Sequence, residues 1–320
     1  MPAQVQIPAE LEAVNAAVDI WFDEGVNATP NAKEAIFAIE DVMGNMRADR
    51  GKVKVAIVSQ DANWGDYDTS DDVLNETPVP QGMSDVFSPT IHSYSYTLGE
   101  TIWYIDYDAL VVEDDEWGVY EEYTKNIGKR IRQRKRMYAA AKMGAASTAL
   151  CYTGLSFFNA AQLVDPTNSS LGTFRNLWDL ELSKTNFENL YGEMQGFVDE
   201  SGQPEGNLPT VLVVSPKKLG LAREIAEIKT GQFGQENVNS GIVDVRVNPK
   251  WTGALSEQWD LYAAGDEKKP LGYAQKVPAA PVYIGEAMVN DKRKHRWMVR
   301  VRDRATYVAP RKAIRSIPAP

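Results

Sequence analysis

The sequence predicts an α+β fold built round one long helix, and three observations carry that expectation. From Asp114 to Ala149, the residues Trp117, Tyr120, Thr124, Ile127, Ile131 and Tyr138 recur at spacings of three, four and seven, a narrow apolar stripe at about 100° per residue. β-rich runs lie before and after this stretch without alternating regularly with helices, which argues for α+β over a parallel α/β sheet. Hydrophobic content of 43% and charged content of 24% suit a soluble globular chain, and 320 residues are enough for one large or two ordinary domains.

In the long helix, Asp114 or Asp115 is expected to cap the first turn. The acids from Glu113 to Glu116 stand at the positive end of its dipole and the run KRIRQRKR toward the negative end. Gly144 is the first expected stop, so Asp115 to Met143 would make a rod of roughly 40 Å at about 1.5 Å per residue. Lys125, Lys129, Arg132 and Arg136 recur at steps of four, three and four and form a second, basic stripe, with Glu121 placed to pair with Lys125. Such a stripe is either a solvated face or a contact for an acidic partner.

Ahead of the helix, residues 8–24 read as a short amphipathic helix with Leu11, Val14, Val18 and Trp21 or Phe22 on one side. A second helix is expected from Pro30 to Gly51, its apolar side being Ala35, Ile36, Ile39, Val42, Met43 and Met46. Together these make an arm that must dock on something else. KVKVAIVS from Lys52 and IHSYSYTLGETIWYID from Ile91 are strand candidates, the latter in two pieces round Leu98 and Gly99. Between them runs an acidic excursion holding Asp61, Asp66, Asp68, Asp71, Asp72, Glu76 and Asp85, too long for an ordinary connection and read as a projecting loop. Its spacing lacks the glycine-centred order of a calcium loop.

Beyond the helix, residues 150–170 are loop-like and Ser183 to Glu200 is a capped helix. Thr210 to Val214 is a buried strand, Ser215 and Pro216 open the next helix, and Leu219, Leu221, Ile225 and Ile228 are its expected inner side. Ile242 to Val247, Gln258 to Ala263 and Pro270 to Lys276 are further strand candidates. Trp297, Val299 and Val301 alternate with Met298, Arg300 and Arg302 in a final strand.

One cysteine, Cys151, excludes an intrachain disulfide framework and suits a buried small hydrophobe. The two histidines, His92 and His295, stand far apart with no catalytic or metal-binding motif around either, so no enzyme activity, cofactor or metal is expected. No run is apolar enough to cross a membrane, and the start lacks the pattern of a signal peptide; a cytoplasm-like compartment is the expectation. A net charge of −10 disfavours the whole molecule as a nucleic-acid binder. The charge is uneven, however. Between Lys54 and Lys125 there is no Lys or Arg, whereas Lys292 to Arg315 holds ten against the single Asp303, so acidic and basic surfaces are available to pair.

IDYDALVVEDDEWGVY leading into the long helix, then CYTGLSFFNAAQLV, then SKTNFENLYGEMQGFVDESGQPEGNLPTVLVVSPKKLGLAREI and last WDLYAAGDEKKPLGYAQKV resemble, in this order, the Mu-like phage major head subunits among major capsid proteins of the Hong Kong 97 type. The resemblance runs from about Ile102 to the C-terminus. The family often has a histidine after the paired phenylalanines, where this chain has Asn159 after Phe157 and Phe158. The resemblance implies an N-terminal arm (1–50), an extended loop with flanking strands (51–111), a peripheral domain (112–182 and 292–320) with a spine helix over 114–149, and an axial domain (183–291).

It also implies a structural major capsid protein that self-assembles, as hexamers and pentamers, into an icosahedral phage head in the virion, built in the host cytoplasm and enclosing double-stranded DNA without sequence specificity. A scaffold, a portal, a maturation protease and a decoration protein are the implied partners, and no membrane is. The alternatives are an encapsulin-like shell round cargo protein and an uncharacterised α+β enzyme. For contacts between subunits, the loop acids Asp61, Asp66, Asp68, Asp71 and Asp72 are expected to meet Lys125, Lys129, Arg132 and Arg136 of the helix, or Arg300, Arg302 and Arg304 of the last strand. The loop from Gln60 to Thr90 has no lysine to donate to a covalent link, so the shell is expected to be held non-covalently.

Overall fold

The computed structural model describes residues 11–28, 34–46, 48–49, 52–58, 91–114, 116–166, 168–199, 204–230, 236–266 and 268–318. In chain order its elements begin with α1 (Glu12–Asn27), two short 3-10 turns, β1 (Met43–Met46), β2 (Ala48–Asp49), β3 (Lys52–Val58), β4 (Ile91–Thr97) and β5 (Gly99–Asp108). The helices α2 (Ala109–Glu113), α3 (Glu121–Arg132) and α4 (Arg134–Ala145) follow, then β6 (Gln162–Leu163), β7 (Thr173–Phe174), β8 (Leu177–Trp178) and α5 (Lys184–Gln195). The last third holds β9 (Val211–Val214), α6 (Leu219–Ala226), β10 (Asp244–Val247), β11 (Trp259–Tyr262), β12 (Leu271–Val277), β13 (Pro281–Val289), β14 (Lys292–Tyr307) and β15 (Ala313–Ser316).

The long helix forms, but in two segments. Gln133 keeps helical dihedrals and its N–H still bonds the Lys129 carbonyl at 3.1 Å, so α3 and α4 are one hydrogen-bonded rod with a tightened turn between them. It ends at Ala145, one residue past Gly144. The start differs from expectation. Asp114 lies at the C-cap of α2, Asp115 falls outside the described residues, and Tyr120 precedes α3 with no side-chain cap. The acid that does cap is Asp108, which accepts from the Leu110 N–H at 3.1 Å and starts α2, while Glu121 and Glu122 supply negative charge to the first turn of α3.

The expected helix from Pro30 to Gly51 is corrected. Residues 34–42 make two 3-10 turns and Met43–Met46 leave as a strand, β1, parallel to β12 with Met43 opposite Leu271. Gly44 and Asn45 are poor helix formers. Gly272, on the facing strand, leaves room for the Met46 sulfur where a Cβ would collide with it.

Two five-stranded sheets organise the rest. The first has order β1–β12–β14–β13, with β5 on the other edge of β14; the second has order β10–β9–β11–β15–β8. The sixteen-residue β14 is the backbone of the first sheet, pairing with β5 along one edge from Lys294–Asp108 to Asp303–Gly99 and with β13 and then β12 along the other. Its Trp297, Val299 and Val301 are buried, as the alternation predicts. Asn290 and Asp291, both at positive φ, turn β13 into β14 with the handedness a two-residue hairpin needs. β3 and β4 pair antiparallel from Lys52–Thr97 to Val58–Ile91 and bracket the acidic segment, which lies outside the described residues.

Sheet membership cuts across the boundaries expected from the sequence: β12 and β13, placed with the axial part, join β14, whereas β15, placed with the peripheral part, lies between β11 and β8 of the second sheet. The inner side of α6 is also redrawn as Ala222, Ile225 and Ala226, with Leu221 and Ile228 exposed. Three large apolar clusters result among the described residues, beside two small ones. One lies under α1 and α3, one under α4 between the two sheets, and one round the second sheet with α5 and α6.

Candidate assembly framework and surfaces

The spine helix is fixed at three places. At its start, α1 lies across α3 with Val14, Val18 and Phe22, four residues apart, buried on Ile127 and Ile131. Gly25 and Gly128 face each other's helix at the crossing, and a Cβ on Gly128 would strike the Phe22 carbonyl while one on Gly25 would strike that of Lys125. The two backbones therefore touch. Asn15 accepts from the Trp297 indole at 2.9 Å, and buried Tyr107 shares a 2.7 Å hydrogen bond with Thr124 while stacking on Tyr120. Burial pushes the Tyr107 phenol up to about 12, so it remains a neutral hydroxyl. The arm expected to need a docking surface thus finds one on its own chain.

At mid-helix, Arg134 forks onto buried Asp303 of β14, Nε to Oδ2 at 2.5 Å and one amino group to Oδ1 at 2.8 Å. Tyr138 and Tyr273 also donate to this carboxylate, at 3.1 and 2.8 Å, and Arg134 reaches Thr101 of β5. The Arg134–Asp303 pair so joins α4 to β12, β14 and β5. Burial and this carboxylate both push the Tyr273 phenol well up, keeping it a donor. Tyr273→Phe is expected to cost about 1.5–3 kcal/mol, the range for a hydrogen bond to a charged group, read from the urea midpoint of the dissociated chain. A midpoint unchanged within error would contradict the role given to Asp303.

At the C-terminal end, Arg315 of β15 is 1% exposed and forks onto fully buried Asp260 of β11 at 2.8 and 2.6 Å. The same guanidinium donates to the Met143 carbonyl at 2.5 Å and to Ser147 at 3.2 Å, and lies over the rings of Phe158 and Trp251. A cation thus meets the last carbonyls of α4, the negative end of its dipole, and ties the rod to the second sheet.

The basic stripe is largely engaged within the chain. Lys125 bonds Glu121 at 2.5 Å and Glu24 at 2.6 Å, Arg132 donates to the Ala28 carbonyl, and Arg136 forks onto Glu40 at 2.9 to 3.2 Å. Lys129 is exposed. The stripe's acidic partners here are Glu24 and Glu40 of the arm and Glu121 of α3 itself. Arg132→Glu with Arg136→Glu is accordingly expected to loosen Ala28 and residues 34–42 in the isolated chain, giving early cuts there in limited proteolysis; an unaltered cutting pattern would show that these pairs hold nothing. On the last strand, Arg300 pairs with Glu100 of β5, Arg302 is half-buried with its Nε unpartnered, and Arg304 is exposed. Asp61, Asp66, Asp68, Asp71 and Asp72 lie outside the described residues.

Sequence reasoning missed the anchors Arg134, Asp303, Asp260 and Arg315. The signal for Asp303 was present: it has the same parity as Trp297, Val299 and Val301 and so sits on the buried face. Asp260, between Trp259 and Leu261 in a short apolar strand, is a similar warning. Among the described residues, no group of three or more His, Cys, Asp and Glu could hold a metal, and no helix is long and apolar enough to cross a membrane.

A long spine helix laid across one sheet, a second sheet anchored at its far end and a strand pair bracketing residues 59–90 make up a Hong Kong 97-type capsid fold. Residues 92–179 match the family model of the Mu-like prophage major head subunit gpT. No curated protein sequence matches it. Among solved structures it is similar to the capsid of cyanophage P-SCSP1u, with 11% identity, a TM-score of 0.54 and coverage of 98% of this chain and 99% of that one. It is similar also to the procapsid of bacteriophage JBD30, with 14% identity, a TM-score of 0.50 and coverage of 98% and 77%. A virus-like particle from Pyrococcus furiosus shares 9% identity at a TM-score of 0.51, over 95% of this chain and 99% of that one. Such identities speak for the fold alone, and the family match covers 88 of the 320 residues.

Proposed function

We propose that this chain is the major head subunit of a phage, copies of it closing as hexamers and pentamers into an icosahedral shell that holds double-stranded DNA. The observation that carries the reading is the head-subunit match over residues 92–179, which falls on β4, β5 and the whole spine helix, the elements that make this fold distinctive. A separate scaffold, a portal, a maturation protease and a decoration protein are the partners such a head calls for, and the virion is its destination after assembly in host cytoplasm. Loop acids of one copy, Asp61 to Asp85, pair with Lys129 or with the last-strand arginines of the next. These pairs set register more than strength, at about 0–1 kcal/mol each, and gain weight only through repetition round the shell.

Particles isolated from producing cells, treated with nuclease and then extracted, test the content: protected duplex DNA is expected. A shell that protects a protein cargo and no DNA would favour the second reading, which the likeness to the Pyrococcus furiosus particle keeps in view. With no lysine between Gln60 and Thr90, boiled and reduced particles should run as a single subunit band on denaturing gels. A ladder of multimers would mean a covalent lock made elsewhere.

A further inference from the structure

One flank of the spine carries a stripe that the three anchors leave unused. Val119, Tyr123, Asn126, Arg130, Gln133 and Met137 recur at alternate steps of four and three, the spacing that holds side chains on one narrow seam of a rod. All six are exposed, and the apolar ones stand toward the two ends, Val119 at 71%, Tyr123 at 47% and Met137 at 56%. The 3-10 turn Trp117–Tyr120 runs directly into α3, so the stripe is continuous from there to the first turns of α4. Tyr, Met and Arg are residue types enriched at protein interfaces.

The charges beside the stripe are divided between its halves. At the start, Glu116 and Glu122 flank Val119, both exposed and neither with a side-chain partner among the described residues. At the other end, Met137 lines a groove of about 580 Å³ with Trp103 and Ala141, and the cations there are Arg130, Arg134 and Lys250. Arg134 is neutralised by Asp303, but no carboxylate pairs with Arg130 or Lys250 among the described residues. Lys250 adjoins Trp251, which lies under Arg315 at the end of α4. Along the rod the groove therefore reads cation, apolar, cation where the start reads acid, apolar, acid. From Val119 to Met137 is about 25 Å at about 1.5 Å per residue, so the two halves cannot meet within one chain. Two rods laid antiparallel bring them together twice: Val119 meets Met137 of the second copy, Tyr123 its Gln133 and Asn126 its Arg130. Glu122 then falls beside Arg130 and Arg134 of that copy, and Glu116 toward its Lys250. A parallel pairing would set acid on acid and cation on cation.

We infer that two copies of this chain pair across a two-fold axis through this flank, their spine rods antiparallel, in a self-complementary contact that repeats each half once. The contact takes its place in a shell from the head-subunit reading above, and the test separates the two. Val119→Cys with Met137→Cys probes it in concentrated chain and in particles, since the chain's own Cys151 is buried. A disulfide needs Cα atoms within about 7 Å, so these two positions cannot bridge within one chain. Mild oxidation is expected to turn most of the double variant into a dimer on non-reducing denaturing gels, while each single variant stays monomeric. Independently, Glu116→Lys with Glu122→Lys should lower the yield of shells by about tenfold or more, because like charges then face each other, while circular dichroism shows the chain still folded. Adding Arg130→Glu with Lys250→Glu makes the halves complementary again and should restore the yield. Shells that close without cross-linking overturn the inference, and a ladder running beyond the dimer overturns it in favour of a head-to-tail contact. Normal shells from the acid-reversed variant also overturn it and leave the flank to DNA or another partner. A cross-linked dimer from chain that never closes a shell would instead overturn the head-subunit reading and leave this contact standing; neither dimer nor shell overturns both.

Discussion

Arg315→Met is expected to destabilise the chain by about 3–5 kcal/mol, the cost of stranding one member of a buried ion pair. Asp260 is fully buried, and without the guanidinium its remaining side-chain partner among the described residues is the Tyr262 hydroxyl at 2.7 Å. The Met143 carbonyl at the end of α4 loses its donor too, so the rod comes loose from the second sheet at the point where both meet. Domains have only about 5–15 kcal/mol in hand, so such a loss moves much of the population out of the native state at growth temperature. Urea unfolding of dissociated chain and the yield of fast-sedimenting particles should fall together. Pairing Arg315→Met with Asp260→Leu should recover most of the loss, because a packed apolar pair often replaces a buried ion pair at little cost. A single variant as stable as the wild type would remove this anchor from the account.

Gly128→Val should be the next most damaging change, by about 1–3 kcal/mol or more. Its new side chain would meet the Phe22 carbonyl and the Gly25 backbone, neither of which can rotate away as a side chain could. Helix α1 must lift, exposing Val14, Val18 and Phe22 together with the face of α3 beneath them. Gly144→Ala is the matched control, since nothing lies within 4 Å of that position and alanine is the better helix former. Thermal midpoint and proteolysis of the arm should change for Gly128→Val and not for Gly144→Ala. Equal behaviour of the two would mean that the arm is not clasped to the spine.

The sequence made the spine and the last strand legible because their apolar residues repeat with one clean period each. Thr124, Ile127 and Ile131 are buried on the stripe, and Trp297, Val299 and Val301 on the strand. Residues 34–46 misled because Ile36, Ile39, Val42, Met43 and Met46 fit a helix almost as well as a 3-10 turn running into a strand. Only the pairing of Met43 with Leu271, more than two hundred residues away, settles the matter. The anchors were harder for a similar reason: parity can place Asp303 on a buried face, but its partner Arg134 lies on another element and looks like one more charge in a basic run. The crossing glycines carry no local signal at all. Cap prediction erred by one element, since Asp108 stops β5 and starts a short helix before the acidic run begins.

Electron microscopy of the purified chain tests the central claim most directly. The account predicts closed shells of uniform size with icosahedral symmetry, each subunit showing the α3–α4 rod across the first sheet with Arg315 seated at its far end. Chain that stays monomeric under every assembly condition while retaining its fold would contradict it.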